Sequence, residues 1–541
     1  MSIHKNHNKI LWALFLLFFV LYNFTNISVW WPNLASSGHL IFNWPDATAN
    51  YYFANLFAHS GRLWYFEPLN LLTDNLLHAR SFNVVAGNIV PISFLPAIVI
   101  FGSIGSMVGD FALLALVPFL TALSGLLVYR LVYYIFKDLD LSFLSAILFW
   151  SLAPIVFFAN VVILPNLLFI FFVLAAFWAL AKYFIYKRAL YWLLASFFIS
   201  LAVFVRPTEI VWLSLVVIFT VYINRSKIDF KKYIYSILIF IAVALLFLSF
   251  NKTTYGAYLS TGYLNLQSGN LSPEFAQSSA NTLWDYIKLL VMPFGFDLLL
   301  ILKNFYKYFI AIILPEFLLA ILALGILFYK KQINFAWKKY LLLTPFVFVL
   351  IIVYYGSWDI ADPLVKELNK ISISYVRYFL PLYIWILPLV ALAIKQIFFG
   401  PTRINKLAYY IIIIALVLAS LKIAFFSKHD GLWENMDTLN NYYVQYDKVS
   451  EVVESDAIII TDRSDKIFFP KYRVIVPQGD FGLWPRVENI IDRAPIYYYT
   501  AKSDQEILVD LQAVNQVKLD LTNPKEIWSN FRLFEVKNNL K

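Results

Sequence analysis

Apolar runs of roughly 20 residues, separated by short polar breaks, recur along most of this chain. A helix of about 20 apolar residues matches the thickness of a bilayer's hydrocarbon core. Eleven spans are predicted: Ile10–Val29, Phe111–Phe136, Leu141–Phe158, Ile163–Tyr183, Ala189–Val205, Glu209–Ile223, Tyr233–Phe250, Tyr308–Tyr329, Tyr340–Tyr355, Ser374–Phe398 and Leu407–Phe426. One further stretch, Ile89–Phe101, is shorter and carries Pro91 and Pro96. An apolar run of about 10–14 residues fits a re-entrant or interfacial element better than a crossing. No small-residue cleavage motif interrupts the first run, so it is expected to be a retained helix and not a removed signal peptide. After Phe426 the pattern changes to that of soluble sequence. Glu434–Val453 and Asp504–Asn515 have helical periodicity, and Ala457–Thr461, Tyr472–Val476, Ile496–Tyr499 and Arg532–Val536 have that of strands. The expected fold is an all-α polytopic membrane domain over residues 1–427, followed by a small α/β domain over 428–541.

Composition agrees with this division. Of the 541 residues, 61% are hydrophobic and 14% charged, against roughly 25% charged in a soluble protein. The net charge of +10 does not call for nucleic acid as a partner, because the basic residues fall between the spans, where they set orientation. If Ile89–Phe101 does not cross, alternation groups Lys137, Lys187, Arg188, Arg225, Lys227, Lys330, Lys338, Lys339, Lys395 and Lys406 with the N-terminal Lys5 and Lys9. That side is then cytoplasmic, and residues 30–110, 251–307 and the C-terminal domain lie outside the plasma (inner) membrane. If it did cross, every one of those clusters would move outside. There is no cysteine, which excludes disulfides and thiolate chemistry. None of the six histidines forms an HxxxH or HxH pair, so no metal site is expected.

Ionisable residues are scarce inside the spans, where Glu316 is the only acidic residue well within one. Ion-coupled transporters concentrate such residues at mid-membrane, so chemistry at the outer surface is favoured over passage. The first acidic residue is Asp46, in Trp44-Pro45-Asp46 at the start of a helix that Gly61 should end. A Pro-Asp pair there also suits a helix cap or a first-turn acid. Arg206 opens Arg206-Pro207-Thr208-Glu209, with Glu209 as a local partner and Pro207 as a first-turn proline. Arg377 lies just inside the tenth span, where an arginine needs a phosphate or carboxylate partner; Asp359 and Asp362 precede it. Asp456, Asp462 and Asp465 gather near a strand end of the C-terminal domain, for which docking or acceptor recognition is expected.

In order along the chain stand Trp44-Pro45-Asp46, His59-Ser60-Gly61-Arg62-Leu63-Trp64, Gly87-Asn88-Ile89-Val90-Pro91, Arg206-Pro207-Thr208, Tyr255-Gly256 with Ser260-Thr261-Gly262-Tyr263, and Arg377-Tyr378-Phe379-Leu380-Pro381. This succession, over roughly residues 1–425, resembles the GT-C superfamily of membrane glycosyltransferases. The closer likeness is to the branch of protein O-mannosyltransferases, aminoarabinose transferases and Rgt-type enzymes. The resemblance implies transfer of a sugar from a polyprenyl-phosphate donor to a lipid, glycan or protein acceptor at the outer face, with inversion. It implies Asp46 as general base, and Arg206, Arg377, Arg62, His59 and Tyr263 as donor-phosphate or substrate residues. No cofactor is expected beyond the lipid-linked donor. Two positions depart from the family pattern: Ala47 follows Asp46 where a second acid is common, and Leu164-Pro165-Asn166 lacks the acid often found there. A divalent metal is therefore less supported. The alternatives are a lipid-linked polysaccharide polymerase or ligase, and a polytopic lipid or solute transporter.

Overall fold

A computed structural model describes residues 2–161, 163–262, 292, 294–330, 333–360, 362–398, 403–477 and 482–539. The chain divides into two compact units: the described residues of Met1–Asn26, Leu114–Leu246 and Ser278–Glu434, and those of Ile27–Leu113, Phe247–Gln277 and Asn435–Lys541.

The first unit is helical. Among the described residues, six continuous helices are long and apolar enough to span: Asp110–Phe136, Pro165–Tyr186, Phe230–Tyr255, Phe335–Gly356, Leu380–Phe398 and Ile404–Phe426. Four further candidates are bent pairs, so the count reaches ten if each pair is one span. Eleven is reached only if Ala189–Val205 and Pro207–Ile223, which meet at 113°, are two passes. The 17 residues of Ala189–Val205 reach only about 26 Å as a helix, short of a core of about 30 Å. The run expected as Leu141–Phe158 is broken into Leu139–Ser151 and Ala153–Asn160, bent by 48° ahead of Pro154. Tyr308–Tyr329 is likewise broken by a 101° bend ahead of Pro315. A proline lacks the amide that a continuous helix needs, which is why both breaks precede one.

Freed backbone at a break must be satisfied inside the protein. The first span bends by 47° between Tyr22 and Asn26. There Asn160 accepts from the Thr25 amide (3.2 Å) and donates to the Leu21 carbonyl (3.2 Å). Close approach elsewhere depends on glycine. A Cβ on Gly125 would sit 2.1 Å from the Trp150 Nε1, whose N–H donates to the Ala122 carbonyl at 2.8 Å.

The loops that charge alternation groups together meet in the structure. Lys187 donates to the Lys227 carbonyl (2.8 Å), Lys330 to Gln396 (3.0 Å) and Lys395 to Asp138 (2.7 Å). At the opposite helix ends Lys307 donates to the Lys366 carbonyl (2.8 Å). There too one oxygen of Asp430 accepts from the amides of Lys370, Ile371 and Ser372 at 2.5, 2.7 and 2.9 Å.

The second unit joins the first polar loop to the C-terminal segment. The Pro45–Ser60 helix begins on Pro45 and ends at Gly61, whose φ of 68° is the left-handed conformation glycine adopts without penalty. It buries Ala47, Thr48, Ala49, Asn50, Phe53 and Ala54 against protein. Its neighbour is the Leu95–Val108 helix, where Gly102 lets the Ala54 carbonyl and Phe57 approach. The single element expected over Ile89–Phe101 is two: a strand, then this 14-residue helix. The helix covers about 21 Å. Strands β1 (Tyr65–Phe66), β2 (Phe82–Val85) and β3 (Asn88–Pro91) form an antiparallel sheet of order β1-β3-β2 that the sequence pattern did not indicate.

The C-terminal segment starts with the Leu432–Ser450 helix. Its strands are β4 (Ile458–Thr461), β5 (Arg473–Ile475), β6 (Ile496–Thr500), β7 (Leu519–Trp528) and β8 (Phe531–Asn538), in the order β5-β4-β6-β8-β7. β4 runs parallel to β5 and β6, and the β7–β8 hairpin closes one edge antiparallel to β6. The Asp504–Asn515 helix lies where its periodicity placed it, opened by a Ser503–Glu506 capping box. Leu76 and Leu77 of the first loop are buried in this segment's core beside Ile458, Ile475 and Trp484.

Candidate active site

Asp46 occupies the first turn of the Pro45–Ser60 helix, but the N-cap position is Trp44, which makes no side-chain cap bond. Asp46 is therefore a first-turn acid and not the cap. Its Oδ1 accepts from the Ser81 hydroxyl at 2.7 Å. Ser81 is held in a left-handed conformation (φ 64°), next to an arginine locked from the C-terminal segment. The Arg80 amide donates to Asp465 Oδ2 (2.8 Å) and its Nε to Oδ1 (2.8 Å), and Asp465 is fully buried. One acid of the Asp456, Asp462 and Asp465 group is thus engaged in an internal ion pair with the first loop. His59 is exposed and lies 3.3 Å from Asp110, which also accepts from Asn55 (2.9 Å). Arg62 is exposed too, over the Trp64 ring at 5.6 Å. Tyr263 lies outside the described residues. The motif that precedes it packs on the small sheet: Tyr255 donates to the Pro91 carbonyl (2.7 Å) and Asn83 to the Gly262 carbonyl (3.1 Å).

Arg206 and Arg377 belong to the helical unit, and there they meet. Arg206, 7% exposed, pairs with Glu209 (2.9 Å) and donates to the Tyr355 hydroxyl (3.1 Å). Glu209 also accepts from Tyr355 (2.7 Å) and from the Trp212 indole (2.5 Å), so its buried charge is satisfied. Among the described residues nothing takes the Arg206 Nη1 hydrogens. The Tyr378 ring carries the Arg206 guanidinium at 5.1 Å and the Arg377 guanidinium at 5.2 Å, and it stacks on Tyr355 with centroids 4.5 Å apart. The local pair with Glu209 was expected; Tyr378 as the hub of two arginines was not, although it stands beside Arg377 in the sequence. Asp359 is paired with Lys366 and Asp362 caps the Pro363–Leu368 helix. Asn166, at the position that departs from the family pattern, donates to the Arg377 carbonyl at 3.2 Å.

Trp212 and Pro381, one on each arginine-bearing segment, also line a 520 Å³ cavity. Its walls are almost wholly apolar, including Ile170, Phe177 and Val216, and Lys137, Asn224 and Lys339 mark its other end. Among the described residues no group of three or more His, Asp or Glu could hold a metal ion.

No protein-family model matches the chain, and no curated protein matches it significantly. Solved structures do. ArnT from Cupriavidus metallidurans bound to undecaprenyl phosphate aligns with a TM-score of 0.51 at 9% identity, over 97% of this chain and 97% of that one. The chain shares the fold of this ArnT structure. The archaeal oligosaccharyltransferase AglB from Archaeoglobus fulgidus, in complex with an inhibitory peptide and a dolichol-phosphate, aligns with a TM-score of 0.48 at 10% identity, over 91% of this chain and 69% of that one. The chain is a multi-pass membrane protein with a mixed sheet at its C-terminal end.

Proposed function

We propose that the chain transfers a sugar from a polyprenyl-phosphate donor to an acceptor at the outer face of the plasma membrane. The observation that carries this reading is the pair of arginines on Tyr378, with an apolar cavity beginning at the adjoining Trp212 and Pro381. A phosphate on a long prenyl chain presents two complementary surfaces. The tail needs a water-free apolar groove, and the phosphate needs cations held in place. Arg206 is preorganised by Glu209 and Tyr355, so little reorganisation accompanies phosphate binding. As the sugar leaves, negative charge grows on that phosphate and the two guanidinium groups offset it. ArnT binds undecaprenyl phosphate, a ligand of this chemistry.

Asp46 takes the role of general base. An acceptor hydroxyl is a poor nucleophile until its proton is removed, and a carboxylate within hydrogen-bond reach removes it as the new bond forms. Direct attack of the acceptor on the anomeric carbon gives inversion. Ser81 donates to one carboxylate oxygen and so helps to fix the orientation of the Asp46 side chain. No metal enters the proposal, because the arginines supply the positive charge. The N-terminus is assigned to the cytoplasm and the C-terminal segment to the outside, and the branch is the one that includes aminoarabinose and protein O-mannosyl transferases.

The test is to supply purified protein with labelled polyprenyl-phosphate sugars and measure consumption of each. One donor class should be turned over, and Asp46→Asn should abolish transfer while donor binding persists. Transfer near the wild-type rate in Asp46→Asn would remove Asp46 from the mechanism. Turnover of a lipid-linked glycan in its place would make the chain a polymerase or ligase.

A further inference from the structure

A second hollow, of 160 Å³, lies within the second unit between the first loop and the C-terminal segment. Tyr52, Tyr65, Tyr472, His78, Glu67 and Arg473 line it. Tyr52 and Tyr65 are half-buried and Tyr472 is buried, and among the described residues none of the three hydroxyls has a protein hydrogen-bond partner. His78 is 7% exposed, and its Nδ1 lies 2.9 Å from the Ala79 carbonyl. Nδ1 therefore carries the hydrogen, which leaves Nε2 as an acceptor without a protein partner among the described residues. These four polar groups line one hollow, and an occupant there can both donate and accept hydrogen bonds.

The charges narrow its chemistry. Glu67 accepts from Arg473 (3.1 Å) and from the Leu69 amide (3.2 Å), and Arg473 also donates to the Asp456 carbonyl (3.2 Å). The pair neutralises itself, so the hollow offers no net charge to a phosphate or carboxylate. Aromatic faces complete the wall: the Tyr52 ring meets Phe469 at 4.8 Å and Tyr65 at 5.5 Å, both edge to face. Burial pushes the Tyr52 phenol up to about 12 and the Tyr65 phenol well above its usual range, and it lowers His78. The lining is thus neutral, rich in donors and flanked by rings. Its volume is about five times the roughly 30 Å³ share of a water molecule in the liquid.

We propose that this hollow binds a single neutral pyranose ring, one sugar unit of a glycan. Ring hydroxyls bond the phenols and the His78 Nε2, and the C–H face of the sugar packs on the aromatic wall. Binding does not require transfer, so this site and the proposed transferase activity stand or fall separately.

The test uses the full chain in lipid nanodiscs and a panel of methyl pyranosides, followed by saturation-transfer NMR. At least one member should bind saturably, with a dissociation constant on the order of 1 mM. Tyr52→Phe with Tyr65→Phe keeps the shape of the hollow and should weaken that binding about tenfold, whereas Asp46→Asn should leave it unchanged. If the double variant does not fold, His78→Gln with an unchanged melting midpoint serves the same purpose. No saturable binding by any pyranoside, or equal binding by the folded variants, would leave a hollow that holds only water and would overturn the proposal.

Discussion

Replacing Asp465 by Ala should release the latch that joins the C-terminal segment to the Asp46 loop. The side chain is fully buried, and it accepts from the Arg80 amide and Nε at 2.8 Å each, with the Arg80 Nη2 2.7 Å away. Removing one partner of such a pair strands the other; for buried pairs the cost is about 3–5 kcal/mol. Arg80 keeps 24% of its side chain exposed, which places the effect at the low end, about 3 kcal/mol. Local opening at Arg80 then becomes easier by the same amount, and protection of its amide against hydrogen exchange should fall roughly a hundredfold. A double-mutant cycle with Arg80→Ala should give a coupling of about 2 kcal/mol. Because Ser81 follows Arg80 and donates to Asp46, transfer should fall in Asp465→Ala even at temperatures where the protein stays folded. Unchanged exchange at Arg80, together with effects additive to within about 0.5 kcal/mol, would refute the latch.

Asp430 should behave similarly at the other unit's loop. Asp430→Asn weakens three amide contacts to residues 370–372 and should cost about 2 kcal/mol, read as a lower melting midpoint. His39 gives a pH dependence. Burial lowers its pKa from 6.5 to about 4, so the unfolded state takes up a proton that the folded state refuses. Stability contributed by this group is complete above pH 6.5 and falls as the pH drops towards 4; at pH 5 the loss is about 2 kcal/mol relative to pH 8. His39→Gln should flatten that part of the stability profile, and an unchanged profile would exclude His39 as its source. Arg206→Ala should lower transfer at least about a hundredfold and destabilise the protein by leaving Glu209, 2% exposed, without its cation. If transfer survives, Arg206 does not hold the phosphate. Ala181→Trp, in the wall of the 520 Å³ cavity, should raise the KM for the lipid donor and leave kcat unchanged. A fall in kcat alone would argue against the cavity as the tail's groove.

Much of this architecture is local, and local structure is legible in the residues. Twenty-residue apolar runs have few alternatives to spanning helices. Pro45 and Gly61 bound their helix by conformational constraint alone, and the Asp504–Asn515 helix carries its own capping box. Some of the loops gathered by alternation do meet, as Lys187 with Lys227 and Lys395 with Asp138. Asp46, Arg206 and Arg377 stood out because charge is scarce near the membrane. The misses have equally physical causes. Strands of two to four residues, such as β1, β2 and β3, are too short to show a period of two. β7 is mostly exposed and polar along its middle, so its alternation does not read as a buried strand. A break in a span leaves hydropathy unchanged, so the bends at Leu152 and ahead of Pro315 were invisible in the apolar count.

What only the tertiary structure decided is which distant residues share a charge. Arg80 and Asp465 are 385 positions apart, and Tyr355 meets Arg206 across 149. No periodicity encodes such pairs, because a partner is chosen by where buried charge must be satisfied after the helices and sheets have packed. The sequence by itself determined a polytopic membrane chain with one early carboxylate and two arginines at helix ends. Packing decided that the carboxylate is a first-turn acid tied to Ser81 and that both arginines rest on Tyr378.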